Sequence, residues 1–515
     1  MRSKRLLSVL LVTTSTLVFA PAAGTAPAAP ATCGPDASAG TLGVGDPYYP
    51  RFGNGGYDVQ HYDLAIRYGP RTNHLRGVAT ITAMTTQSLS CFSLDLVGLT
   101  VHAITVNGDP ATWSRTHHEL MITPAVPLAT GADLSVLVTY DGFPKGFVIP
   151  SLGAVSGFIR TADGVIVAGE PEAATAWFPV NDHPSDRASY TFRITVPTGL
   201  QVVANGVRES MDTRGDWTTH VWQAHDPMAS YLATFDVGEW TMRFRTTSSG
   251  LPVIDAIDPD VLPRVRASVR REPEILDFLE SRFGPYPFES VGGIFPDTGR
   301  LGFALETQTR PVYARVFFPN GESVIVHELA HQWFGDLVAV DHWQHIWLNE
   351  GFATYAEWLW SGHEGFGTPR RTFEAIWGAI PSDSTFWQVV IGDPGVDDLF
   401  DGAVYVRGAM TLQALRNRVG DDAFWTTLHL WTEQHAFGTG TTDAFIALAE
   451  QVSGQDLSDL FDVWLFTPGR PPASGVTASG TGVTMTFRFV AKRLRTTGSY
   501  AKNLNGEFFF ATALA

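Results

Sequence analysis

With 515 residues, 44 % of them hydrophobic, the chain is too long for a single core and apolar enough to fill two or three. Its formal net charge of −17 works against nucleic acid and anionic membrane surfaces as partners, since both would repel it. The composition is globular, neither fibrous nor that of a disordered tail.

Residues 1–31 read as a signal peptide: Arg2, Lys4 and Arg5 precede an apolar run from Leu6 to Ala20, followed by a stretch rich in Ala and Pro. The run falls short of the roughly 20 residues of a spanning helix. A secreted protein is therefore expected, without stable membrane insertion after cleavage. Only Cys33 and Cys91 carry thiols. In an oxidising compartment a disulfide between them is the first expectation, tying the mature N-terminus to the first domain; two unpaired thiols are the alternative.

From Tyr57 to about Arg245, short alternating runs such as Leu134-Ser135-Val136-Leu137-Val138 are separated by Gly, Pro, Asn and Asp turns, which predicts a β domain over 32–245. After Thr246 the spacing turns helical, beginning with an amphipathic run from Leu262 to Phe283. Further helices follow through Leu412 to Leu415, Phe424 to Leu428 and Thr442 to Val452, giving a second domain over 246–472. The tail, 473–515, alternates from Val483 to Phe489 and then carries Lys492, Arg493 and Arg495, a pattern open to two readings, a small β appendage or a partly ordered extension. The whole is an α+β chain.

The chemistry concentrates at 327–350, HELAHQWFGDLVAVDHWQHIWLNE. If a helix starts at Asn320 to Ser323 and Gly335 stops it, His327 and His331 stand one turn apart on one face and can share a zinc ion at roughly 2.0–2.1 Å each. Glu350 opens a second predicted helix after a gap of eighteen residues. It completes a two-histidine, one-carboxylate set that leaves a fourth position for water, as a catalytic rather than structural site requires. Glu328 points to another side of the first helix, suited to take a proton from the attacking water and pass it to the departing amine. His342 and His345 are surplus to this set and are expected to pack nearby.

HELAHQWFG followed by WLNEGFATY resembles the aminopeptidase N family of zinc metallopeptidases, which includes leukotriene hydrolase. The likeness runs from about Gly56 to Arg470. It implies a β-sheet saddle domain, opened by GYDVQHYDLAI and LRGVATI, beside a thermolysin-like, mainly helical zinc domain with one Zn²⁺ per chain. The stretch AGEPEAATAWFPVNDHP resembles the family segment ending Phe-Pro-Cys-Phe-Asp-Glu-Pro, which puts Glu170 where a Gln or Glu binds the substrate's amino end; Val180 replaces the cysteine. GRLGFALETQT at 299–309, expected as an edge strand, resembles the segment with Gly-Ala-Met-Glu-Asn. There Ala304 and Glu306 match, Phe303 replaces a glycine and alters the first side-chain pocket, and Thr307 replaces an asparagine that bonds the substrate backbone. Val404 to Met410 resembles Tyr-x-Lys/Arg-Gly-Ala, making Tyr405 the donor to the developing oxyanion. The long C-terminal helical domain of larger members is missing, which implies a more open cleft.

The favoured function is a secreted zinc aminopeptidase acting on peptides with a free N-terminus. A thermolysin-type endopeptidase would have no use for Glu170 and Glu306. A non-enzymatic binding protein with an inert metal site would be free to lose Glu328 or Tyr405, and both are present. Epoxide hydrolysis, found in one branch of the family, is disfavoured by the missing C-terminal domain.

Overall fold

The computed structural model describes Cys33 and residues 38–151, 153–318 and 321–472. The expected signal peptide and the tail from 473 lie outside the described residues. The first long alternating run forms the strand Tyr57–Gly69. It buries Tyr57 and Val59 and then, past a bulge at Gln60, Tyr62, Leu64, Ile66 and Tyr68. The extra residue shifts the alternation by one, so both halves face the same core.

This strand is central in an eight-stranded sheet that runs Val207–Arg214, Trp217–Ala229, Arg187–Pro197, Tyr57–Gly69, His74–Thr85, Asp133–Gly142, Thr100–Val106 and Asp109–Pro110. Only the pairing of Tyr57–Gly69 with Arg187–Pro197 is parallel. A five-stranded sheet contains Val165–Ala168 and Phe235–Gly238. Trp177, fully buried, bridges the two sheets by contacting Phe192 of the first and Phe235 of the second. That wedge anchors the loop carrying Glu170.

The strand Thr241–Thr246 pairs with Pro252–Ile257, which in turn pairs with Ile294–Phe295. The hairpin between the first two thus straddles the boundary expected near Arg245, and the chain changes sheets just before it, between Gly238 and Thr241. The helices α1 (Leu262–Phe283), α2 (Glu322–Ala330), α3 (Trp347–His363), α4 (Pro369–Ala379), α5 (Gly402–Val419), α6 (Asp421–Gln434) and α7 (Thr442–Ser453) then follow. Every residue of α3 from Trp347 to Trp360 is buried, so it is the axis of the domain rather than a surface helix. No helix among the described residues is long and apolar enough to cross a membrane.

Helices α3 and α5 meet at glycine. A methyl group added to Gly351 would lie 2.9 Å from the Gly408 Cα, and one added to Gly408 would lie 2.8 Å from the Gly351 Cα. Main chain therefore touches main chain at the crossing, next to Glu350 and three residues after Tyr405. At the seam between the domains, fully buried Arg310 donates from Nε to the Ile254 carbonyl at 3.1 Å and from Nη2 to the Gly206 carbonyl at 2.8 Å, with Ala204 also accepting from Nη1. Asn205 adds bonds to the carbonyls of Leu232 and Gln308, at 2.9 and 2.8 Å. The N-terminal segment straps the assembly: Cys33 is disulfide-bonded to Cys91, and Asp46 accepts from the Trp343 N–H at 2.8 Å and faces His183 Nε2 at 3.3 Å.

Candidate metal centre and cleft

Helix α2 ends at Ala330, a turn earlier than Gly335, and the chain wraps tightly through His331 to Gly335 (φ 135°). His331 remains in helical conformation at the cap, so the one-turn spacing from His327 survives. Their rings lie 4.8 Å apart, centre to centre. Glu350, in the first turn of α3, places Oε2 3.1 Å from His327 Nε2 and 3.5 Å from His331 Nε2. Donor atoms around a tetrahedral ion with bonds of 2.0–2.2 Å are separated by ~3.3–3.5 Å. The two Glu350 distances lie close to that span, and the ligand atoms of all three residues lie within 4.8 Å of one another, so the set can hold one zinc ion.

The far side of each imidazole fixes its orientation. His327 Nδ1 faces the Glu357 carboxylate at 2.8 Å, and His331 Nδ1 faces the Phe334 carbonyl at 3.0 Å. With both Nδ1 atoms engaged, both Nε2 atoms turn toward Glu350. Glu357 in turn accepts from the Ser323 hydroxyl. Burial works against ionised Glu350, but His331 and His327, themselves raised by the surrounding carboxylates, outweigh it and hold the carboxyl at about 2.

Glu357 was not singled out by the sequence reading, although it lies two helical turns beyond Glu350 on the same face. Gln332 was also missed. Its amide donates to the Glu306 carbonyl at 3.0 Å and to Asp336 at 2.7 Å, tying the end of α2 to the segment that carries Glu306. That segment is not the expected strand: it makes a single bridge, Leu305 to Val312, and turns at Gln308 to Arg310, where Thr309 has φ 68°. The Thr307 hydroxyl is spent on the Arg310 carbonyl at 2.7 Å and does not face the cleft, whereas Phe303 does.

A cleft of about 490 Å³ opens over the triad, lined by Glu170, Ala304, Glu306, Glu328 and Tyr405 among others, with no lysine or arginine among its described lining residues. All the predicted site residues except the cysteines therefore converge. His342 and His345 do not: His342 pairs with Asp341 at 2.6 Å and His345 Nδ1 bonds to the Thr442 hydroxyl at 3.0 Å. Burial, reinforced by Glu306 and Glu350 and opposed by the two histidines, pushes Glu328 up to about 8. Burial followed by repulsion from Glu306, Glu350 and Glu328 raises Glu170 well above the carboxylate range, and its Oε1 has no hydrogen-bond partner. Glu306 is raised mainly by burial, and among the described residues its carboxylate accepts one long hydrogen bond, from the Tyr231 hydroxyl at 3.4 Å. Tyr405, stacked 5.9 Å from the His327 ring, is raised by burial and by Glu350, and so stays protonated and able to donate.

The model of the peptidase M1 N-terminal domain matches residues 58–232, and that of the peptidase family M1 domain matches 318–464. The crystal structure of a mutant M1 zinc metallopeptidase from Deinococcus radiodurans superposes with a TM-score of 0.75 at 31 % identity, over 84 % of this chain and 99 % of that one. The chain belongs to peptidase family M1, the aminopeptidase N group of zinc metallopeptidases. This M1 chain shares the same coverage and score with the Deinococcus protein bound to a Tyr-Ser-Ala substrate. A mutant described as a two-domain M1 zinc metallopeptidase, bound to L-tryptophan, gives a TM-score of 0.76 at 31 % identity, over 84 % of this chain and 99 % of that one. Rat glutamyl aminopeptidase is 28 % identical over 64 % of the M1 chain and only 38 % of its own length. For Arabidopsis thaliana aminopeptidase M1 the figures are 24 %, 85 % and 53 %. The chain thus spans well under two thirds of the curated relatives it matches. The β domain followed by a helical catalytic domain agrees with the α+β expectation.

Proposed function

We propose that the protein is a zinc-dependent aminopeptidase that hydrolyses the first peptide bond of substrates with a free N-terminus. The observation that carries this reading is the pair of buried carboxylates, Glu170 and Glu306, beside the His327, His331 and Glu350 set in a cleft whose described lining has no lysine or arginine. A substrate ammonium offers each a charge-assisted bond that an internal peptide cannot. Raised carboxyls in a water-poor wall are unstable as anions until a cation arrives, so the free amine is selected by the same repulsion that makes the pair costly.

His327, His331 and Glu350 would hold one Zn²⁺ per chain, which when bound acts as a Lewis acid toward the scissile carbonyl. Glu328 takes the proton of the attacking water and returns it to the leaving amine; a carboxyl held near neutrality suits both transfers. Tyr405 donates to the oxygen on which charge develops. Ala304 keeps the wall beside Glu306 low, while Phe303 narrows the pocket for the first side chain. The disulfide and the basic-then-apolar N-terminal segment support export to an extracellular compartment.

Free and N-acetylated amino-acid amides, assayed with and without a chelator, test the reading. Turnover of the free amides alone, lost on chelation and restored by zinc, is expected. Equal cleavage of blocked peptides would instead indicate an endopeptidase and remove the role of Glu170 and Glu306.

A further inference from the structure

The N-terminal strap reaches further than the disulfide that ties it to the β domain. Asp46 accepts from the N–H groups of Tyr48 and Tyr49 through Oδ1, at 2.7 and 2.9 Å, and from the Trp343 N–H through Oδ2 at 2.8 Å. One carboxylate thus closes a tight turn in the strap and fastens it to the stretch that leads into α3 and Glu350. Tyr49 packs edge-on to Trp343, with ring centres 6.5 Å apart. Held in this way, Tyr48 meets the loop between α4 and α5: its hydroxyl donates to the Asp393 carboxylate and accepts from the Gly395 N–H at 2.7 Å. Burial and Asp393 both raise Tyr48, so the phenol stays protonated and able to donate.

That loop is a wall of the cleft. Asp397, Asp398, Phe400 and Asp401 line it, and the Asp401 side chain then caps α5 by accepting from the Ala403 N–H at 2.8 Å, one turn before Tyr405. At either end the loop is secured: Gly392 donates to the Leu465 carbonyl at 3.0 Å, and Leu399 is fully buried. Between them Val396, Asp397 and Asp398 are exposed. Among the described residues, the only hydrogen bonds that join 393–398 to anything outside 390–401 are the two to Tyr48. An exposed run with so few outside partners opens locally with little loss of free energy unless something spans it. One phenol from the strap spans it.

We propose that Tyr48 is a positioning residue for substrate binding, clamping the loop 393–398 so that the cleft wall ahead of Tyr405 is in place before a peptide arrives. This role rests on the peptidase reading of the cleft. Tyr48 is not among the residues that line the cleft and acts through the loop alone. With the clamp lost the wall samples other positions, and apparent affinity falls with the fraction of molecules whose wall is in place. The metal ligands keep their own partners, and α3 and α5 keep their glycine crossing, so the bound complex reacts as before.

The test compares the full, zinc-loaded chain with Tyr48→Phe, which keeps the ring and removes the oxygen that makes both bonds. KM is read on whichever of a free and an N-acetylated tripeptide the parent turns over, so the clamp and the choice of substrate fail separately. KM is expected to rise ~3- to 10-fold, the scale of two partly exposed hydrogen bonds, while kcat stays within about twofold. Asp393→Ala leaves the Gly395 bond intact and gives a smaller rise, and adding it to Tyr48→Phe brings no further change. Hydrogen exchange at 393–401 speeds up about fivefold or more in Tyr48→Phe, with α2 and α3 unaffected. An unchanged KM overturns the proposal, as does a fall in kcat alone. Faster exchange throughout the helices, or a Tm lower by more than about 5 °C, reduces Tyr48 to a packing residue and overturns it as well.

Discussion

The seam between the domains and the cleft beside it both bury charge, and they treat it in opposite ways. At the seam, Arg310 distributes its N–H groups over the carbonyls of Ile254, Ala204 and Gly206 and the Ser290 hydroxyl. In the cleft, Glu170 leaves an oxygen without a partner, and Glu306 has one long contact. Saturated buried charge marks scaffold, because its removal strands the groups that were bonded to it. Unsaturated buried charge of one sign marks a place for something of the other sign, and it is tolerated only because the rest of the fold carries the cost.

Four substitutions can break or sharpen that contrast. The largest effect is expected for Glu328→Gln: kcat falls on the order of 10⁴-fold, roughly 5 kcal/mol, while zinc content and Tm hold. Near-normal turnover in this variant would remove the proposed base. Next, Arg310→Met costs roughly 3–5 kcal/mol in urea unfolding, since four acceptors lose their donor in a dry seam. A loss under about 1 kcal/mol would mean that the seam does not depend on this guanidinium.

Glu170→Gln should run the other way. KM for unblocked amides rises ~10- to 100-fold, while stability is unchanged or higher because a repelled carboxyl has been neutralised. A drop in Tm would place Glu170 with the scaffold. The smallest effect concerns Asp46, a buried carboxylate that is saturated. Burial would raise it, but His183 and the N–H groups of Trp343, Tyr49 and Tyr48 outweigh that and hold it at about 2. Its folded value lies below the ordinary one, so its contribution is complete above about pH 4 and is lost as pH falls toward 2. Asp46→Asn should therefore remove roughly 1–2 kcal/mol of stability at pH 7 and less at pH 3, as read by urea midpoints.

How much of this was legible in the residues follows from how local each rule is. His327 and His331 could be paired from helical spacing alone, and the strand Tyr57–Gly69 from its alternation. Glu350 was harder, since an eighteen-residue gap carries no geometry until both helices are known. Glu170 and Glu306 came only from likeness to a family, because a loop in one domain and extended backbone in the other share no periodicity. Glu357 was within reach of the helix rule but went unused. The segment 299–309 reads as a strand by composition, yet pairing is decided by a neighbour, and only Val312 is present to bridge it. The start of the second domain blurred for a similar reason: Thr241–Thr246 alternates like the strands before it and pairs with those after it.

The glycine crossing of α3 and α5 makes the spacing between the backbones that carry Glu350 and Tyr405 a property of two main chains in contact. Hydrophobic residues around it can drift in size over generations and repack without detuning the centre. The same contact leaves no slack for growth: one methyl at either glycine pushes the helices apart, and the calibration is lost at a single step.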